Sequence, residues 1–247
     1  MKSIIFCEGK TDAILLSYYL EKVADWKFSK KMTRNIGLPI RNFENEEVNV
    51  YTKDEKQLII WAVGGVGNFN YAISSVIEAT KILEKENAYR KLIVLTDRNQ
   101  SQEDSIILSK IESNFHTHDI NFDSLINNQW SKCNYINEYQ DVSEIKLLPV
   151  IIPFDKNGAL ETFILDAICD FGEEETYLVN RCKEFVNGFN LTKYLNNQRL
   201  KLKGELAVTL GAMFPQKTFT PIDSMLKEIN WEEYKTIQEG FKRLEEI

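Results

Sequence analysis

At 247 residues, with 43% hydrophobic and 27% charged residues, 11 Gly and 5 Pro, the chain has an ordinary globular composition and suits one large α/β domain or a domain with an appendage. Its formal net charge of −7 argues against a broad basic surface that grips nucleic acid unaided, so a phosphate partner has to be met locally, for instance through bound Mg²⁺. Cys7, Cys133, Cys169 and Cys182 form no CxxC pair, which reads as reduced thiols without zinc. Glu8 interrupts the first apolar run too soon for a signal peptide, and no run is long enough to span a bilayer, so a cytoplasmic protein that makes no membrane contact is expected.

In chain order, apolar runs at Ile4 to Cys7, Leu58 to Val63, Leu92 to Thr96 and Val150 to Pro153 have the pattern of buried parallel strands. Between them, Asp12 to Val23 and Asn70 to Lys85 repeat apolar residues at helical spacing. This alternation predicts an α/β fold with a doubly wound parallel sheet flanked by helices. Residues 26–56 are charged and contain Gly37 and Pro39, the mark of an insertion, in which Val48 to Tyr51 pairs with the Leu58 strand through a turn at Lys53 to Lys56. Asn99 to Leu147 is read as one or two short helices and a polar surface stretch. Beyond Pro153 helices are expected at Leu160 to Phe171, Glu173 to Val186, Arg199 to Met213 and Trp231 to Glu245, giving an α/β domain over 1–170 and a helical extension over 171–247.

The chemistry concentrates at strand ends. Glu8 follows the first apolar strand in Cys7-Glu8-Gly9-Lys10-Thr11-Asp12, where open α/β sheets bind ligands. A strand-to-helix turn capped by Thr11 or Asp12 accounts for Gly9 and Asp12, but not for a carboxylate at Glu8. Gly9-Lys10-Thr11 lacks the glycine, five residues earlier, of a phosphate-binding P-loop, and Asn70 breaks the dinucleotide pattern that Gly65 and Gly67 begin. The expected role of Gly64, Gly65 and Gly67 is to let the backbone turn closely past the site. Asp97 ends the strand Leu92 to Thr96; alone it serves equally well as a turn cap, but beside Glu8 it supplies a second hard oxygen ligand of the kind Mg²⁺ takes.

With Gly64-Gly65 between them, these two motifs resemble the Toprim family of topoisomerases, bacterial primases, OLD-family nucleases and small standalone nuclease-like proteins. In that family a Glu follows the first strand and an Asp-x-Asp a later one; Glu8 and Asp97 match, whereas Asn99 stands in place of the second Asp and removes a negative charge. Glu103 and Asp104 lie near enough in sequence to compensate, although a solvated loop explains them as well. Pro153 to Ile168, with Gly158-Ala159-Leu160-Glu161, resembles a segment of standalone Toprim proteins near the OLD and DUF3226-like groups. The helix dipole gives Glu161 an equally good structural reason, and Asp166 falls on a solvated face.

The resemblance implies Mg²⁺ or Mn²⁺ held by Glu8, Asp97, Asn99, Asp155 and Glu161, and a nuclease acting on DNA or RNA, with Glu8, Asp97, Glu161 and a lysine, Lys203 or Lys201, as catalytic residues. A solvated helix face is the blander account of both lysines. The implied partners are a nucleic-acid substrate and, since related OLD-type nucleases carry an ATPase domain absent here, a separate ATPase, as in anti-phage systems; a homodimer is a further expectation. A binding module without catalysis is the alternative. His116 and His118 read as surface histidines, and Trp231, Tyr234 and Phe241 as core.

Overall fold

The computed structural model describes residues 1–33, 36–41, 46–99, 103–217 and 219–247. Residues 34–35 and 42–45 of the expected insertion, and 100–102 of the stretch after Asp97, lie outside the described residues. The chain divides into a sheet unit, Met1–Ile151 with Arg243–Ile247, and a helical unit, Ile152–Lys242. Relative to the expected boundary at 170, helix Leu160–Phe171 groups with the helical unit and the last five residues with the sheet unit.

The sheet unit contains β1 (Lys2–Cys7), α1 (Lys10–Ala24), β2 (Lys27–Phe28), α2 (Lys30–Thr33), β3 (Glu47–Lys53), β4 (Lys56–Ala62), α3 (Phe69–Ile82), β5 (Tyr89–Asp97), α4 (Asp104–His116), β6 (Ser131–Ile136) and β7 (Val142–Ile152). Among the described residues the strands form one seven-stranded sheet in the order β2-β3-β4-β1-β5-β7-β6. Its centre is parallel: β1 pairs with β4 from Lys2↔Gln57 to Cys7↔Ala62, and with β5 up to Cys7↔Leu95. The expected hairpin is present, with β3 antiparallel to β4 in the register Tyr51↔Leu58 and Asp54 in the left-handed region at φ 52°.

Strand alternation divides the core. Ile4, Phe6, Ile59, Trp61, Leu92 and Val94 join Ile73, Val76 and Ile77 of α3 and Ile107, Ile111 and Phe115 of α4 in one cluster. Ile5 and Cys7 project the other way, and α1 packs on β1 and β4. Asp12 accepts the Gly9 N–H at 2.7 Å to start α1, and Asp25, at φ 57°, ends it by donating its N–H to the Leu20 carbonyl.

The stretch expected to be polar surface corrects the reading. It holds α4 and then an antiparallel β6–β7 hairpin that extends the sheet, with Cys133↔Ile145 and Tyr135↔Ser143 in register. At the hairpin turn Asn137, itself buried, accepts the Asp141 N–H through Oδ1 at 2.8 Å. The strand expected at Val150 therefore starts at Val142.

Burial pushes the Tyr89 hydroxyl at the start of β5 up to about 12. A raised folded-state value favours the protonated form, so this contribution to stability is complete below the unfolded value near pH 10 and is lost as pH rises toward 12. Urea titrations at alkaline pH are expected to show a stability loss that is smaller in Tyr89→Phe; identical profiles would refute this.

The helical unit contains α5 (Leu160–Phe171), α6 (Glu173–Asn187), α7 (Gln198–Met213), α8 (Ile222–Leu226) and α9 (Lys235–Phe241), with 3-10 turns at Pro215–Lys217 and Trp231–Glu233; the 3-10 turn Lys242–Glu246 belongs to the sheet unit from Arg243 onward. The single helix expected from Trp231 to Glu245 is broken. Tyr234 adopts extended backbone (φ −91°, ψ 110°), so the Trp231 and Tyr234 rings pack together at 5.3 Å and both are buried. Among the described residues no helix is long and apolar enough to cross a membrane.

Gly240 lies against Phe154 and Phe163, whose rings meet edge to face. A Cβ at Gly240 would stand 2.7 Å from Phe154 Cε2 and 2.8 Å from Phe163 Cζ. Gly240→Ala is therefore expected to destabilise by about 1–3 kcal/mol from overpacking, where helix propensity alone would stabilise by about 1 kcal/mol. The sign of the change in urea midpoint decides between the two.

Candidate functional site

Three chain segments fix Glu8. It follows β1 and is 7% exposed, and its Oε1 accepts the Thr96 hydroxyl at 2.6 Å and the Asp97 N–H at 2.9 Å, both from the end of β5. Its carbonyl accepts the Gly65 N–H at 2.8 Å from the turn after β4. A buried carboxylate is costly without such donors, and hydrogen bonds to a charged group contribute about 1.5–3 kcal/mol each.

The turn works as expected from its glycines. Gly64 and Gly65 have φ of 77° and 116°, which a residue with a side chain rarely adopts. Asn68 locks them by donating Nδ2 to the carbonyls of Val63 (2.9 Å) and Gly64 (3.2 Å). Cys7 is no nucleophile: burial pushes its thiol well above its ordinary value, and the Asp12, Glu8 and Glu47 carboxylates add to the rise.

Asp97 is half-buried at the end of β5. Asn99 is exposed and left-handed at φ 53°, with Nδ2 donating to the Asp97 carbonyl at 3.3 Å. Asp104 does not replace the missing second aspartate, because it forms an ion pair with Arg98; Glu103 is exposed at the start of α4. Among the described residues no group of three or more His, Cys, Asp or Glu is placed to hold a metal ion.

Thr96 and Asp97 open onto a cleft of about 330 Å³, walled by Phe69, Ile107 and Ile111 and edged by Asn70, Lys110 and Asn114. The cleft lies at the carboxyl ends of the strands beside the first turn of α3, the usual ligand position in open α/β sheets. Reading the sequence alone missed Thr96 as the partner of Glu8 and α4 as a cleft wall. The signal for the first was a hydroxyl in the last buried position of an apolar strand, just before the aspartate.

The remaining acidic and lysine candidates stand on the helical unit, and the two histidines on the sheet unit. Asp155 is exposed, Glu161 is half-buried in the first turn of α5, and Asp166 forms an ion pair with Lys156 at 2.6 Å. On α7, Lys203 is exposed and Lys201 lines a separate cleft of about 310 Å³. His116 is exposed against Asn121, and His118 bonds Ser74 Oγ at 2.8 Å, both as surface histidines.

Fold and site together define an open α/β protein with a buried carboxylate at the carboxyl edge of its central strand. The chain belongs to the DUF3226 family, described as a protein of unknown function, whose model matches residues 2–221. Among solved structures it is similar to a hypothetical protein, PH0156, from Pyrococcus horikoshii OT3, at 15% identity and a TM-score of 0.50 over 98% of this chain and 99% of that one. That likeness concerns the fold. Lactoylglutathione lyase from Agrobacterium tumefaciens matches 60% of this chain and 91% of its own at 8% identity, with a TM-score of 0.17 that carries no argument. No curated protein matches the chain.

Proposed function

We propose that Glu8 and Asp97 form the centre of a Mg²⁺- or Mn²⁺-dependent phosphodiesterase of Toprim type, acting as a nuclease on DNA or RNA. The observation that carries this reading is the Glu8 carboxylate, buried at a strand end and held through one oxygen by Thr96 and Asp97. A side chain kept there for packing alone would be apolar.

The donor set fits one hard cation. Mg²⁺ is satisfied by one or two carboxylates, with waters and substrate phosphate completing its shell, and Glu8, Asp97 and the amide oxygen of Asn99 are such ligands. When bound, the ion would neutralise the scissile phosphate and acidify a water. The protein's own part is to orient Glu8 through Thr96, to keep Asp97 at the mouth of the cleft, and to offer Lys110 at its edge as a countercharge to phosphate. Asp155, Glu161 and Lys203 carry no part of this reading.

The test is incubation of plasmid, linear DNA and RNA with Mg²⁺ or Mn²⁺. Cleavage is expected in the natural protein and lost in Glu8→Gln and Asp97→Asn; undiminished cleavage in both variants sinks the assignment. Two carboxylates with an exposed Asn99, and no group of three or more His, Cys, Asp or Glu placed to hold a metal ion among the described residues, favour a second reading: a cation-dependent binding module controlled by a separate ATPase. Its signature is a rise in Tm with Mg²⁺ and no cleavage.

A further inference from the structure

The stretch from Arg181 to Lys203 inverts the charge of the molecule. It carries Arg181, Lys183, Lys193, Arg199, Lys201 and Lys203 against one acid, Glu184, in a chain of net charge −7. Arg181 forms an ion pair with Glu184, so within the segment the charges of Lys183, Lys193, Arg199, Lys201 and Lys203 are unmatched by any acid. The end of α6, the connection 188–197 and the start of α7 bring these residues onto one part of the helical unit, where α6 packs on α7.

The same segment exposes rings that a globular surface normally hides. Phe185 is 56%, Phe189 40% and Tyr194 62% exposed. Phe185 and Phe189 meet edge to face at 4.8 Å, and Lys193 Nζ lies 5.2 Å from the Tyr194 ring centroid. Beside them is the cleft of about 310 Å³, with Phe189 and Leu191 as apolar wall, Asn190, Asn196 and Gln198 as amide edge, and Lys201 at its rim.

We infer that this face binds single-stranded nucleic acid. Exposed aromatics interleaved with cations suit a chain that offers phosphates and unstacked bases at alternate positions. Lys193, Arg199, Lys201 and Lys203 neutralise the phosphates, Phe189 and Tyr194 stack on bases, and the amides of the cleft meet the polar edge of one base. A duplex satisfies the cations alone, because its bases are stacked on each other. An acidic protein partner leaves the amide-edged cleft without a use. The inference goes beyond the carboxylate site, and either can fail without the other.

The test is fluorescence anisotropy of the 247-residue Glu8→Gln chain in EDTA, which removes both cation and cleavage, with labelled oligo(dT) and oligo(U) of about 20 nucleotides and a duplex of matched length. The expected result is single-strand binding that weakens about tenfold or more in Tyr194→Ala, is at least about tenfold weaker for duplex, and falls steeply with salt. Arg199→Glu/Lys201→Glu is expected to flatten the salt dependence; Tyr194 and Arg199 are exposed and Lys201 half-buried at the cleft rim, and a Tm equal to that of Glu8→Gln checks that the variants fold. Absence of single-strand binding, equal binding of duplex, or binding indifferent to both variants overturns the inference. So does a patch that instead mediates self-association, seen as a sedimentation change in Tyr194→Ala. Loss of cleavage by the natural protein in Mg²⁺ bears only on the carboxylate site.

Discussion

Glu8→Gln is expected to lower the proposed cation-dependent cleavage by more than about a hundredfold while leaving Tm nearly unchanged, the scale on which removal of one electrostatic group acts in a preorganised site. The reasoning follows from the bonds that Glu8 makes. Its Oε1 accepts from the Thr96 hydroxyl and the Asp97 N–H, and the amide oxygen of Gln can accept both in the same place. What the substitution removes is the charge. Glu8→Ala differs, because it leaves a buried hydroxyl and a half-buried N–H without their acceptor, at about 1–3 kcal/mol each. Cleavage and Tm should therefore fall together in Glu8→Ala and separate in Glu8→Gln. A Gln variant that cleaves at full rate would show that the charge has no part in the chemistry.

Trp61→Ala is expected to cost about 3–5 kcal/mol in urea unfolding, the range for truncating a large buried ring. Trp61 is fully buried on β4, packs against Phe6 at 6.1 Å between centroids, and donates its indole N–H to Glu46 Oε1 at 2.8 Å. Trp61→Phe keeps most of the apolar contact and loses the hydrogen bond, so it should cost less than the alanine change. Because Phe6 and Trp61 are register partners two residues before Glu8, the alanine change is also expected to loosen the carboxylate. A cost below about 1 kcal/mol would mean that the core closes over the space, contrary to its dense packing.

The central strands and the principal helices were legible because buried segments write their periodicity into the sequence. Ile4 to Cys7 and Leu92 to Thr96 are continuous apolar runs covered on both faces, and their carboxylates stood out as breaks in that pattern. The β6–β7 hairpin was hidden for the opposite reason. Lys132, Asn134, Glu144 and Lys146 all face outward, so the stretch looks polar until Cys133, Tyr135, Ile145 and Leu147 are read at period two. The break at Tyr234 was illegible because Trp231, Tyr234 and Phe241 fit helical spacing equally well; packing of the first two rings on each other selects the extended residue. The candidate site was legible at Glu8 and Asp97. The ion pair of Asp104 with Arg98 was not, because a sequence lists charges without saying which of them meet.

The place of β1 in the sheet bears on how the molecule is made. This strand is synthesised before both of its neighbours, which begin at Lys56 and Tyr89, so Lys2 pairs with Gln57 and again with Tyr89. Contacts so distant along the chain must close large loops before they return any stabilisation, and folding dominated by them is slow. On a ribosome, β1 waits for both partners until the chain through Asp97 has emerged. The carboxylate site is accordingly assembled in two stages: Glu8 is translated first, and the Thr96 hydroxyl and Asp97 N–H that orient it arrive only with the last residues of β5.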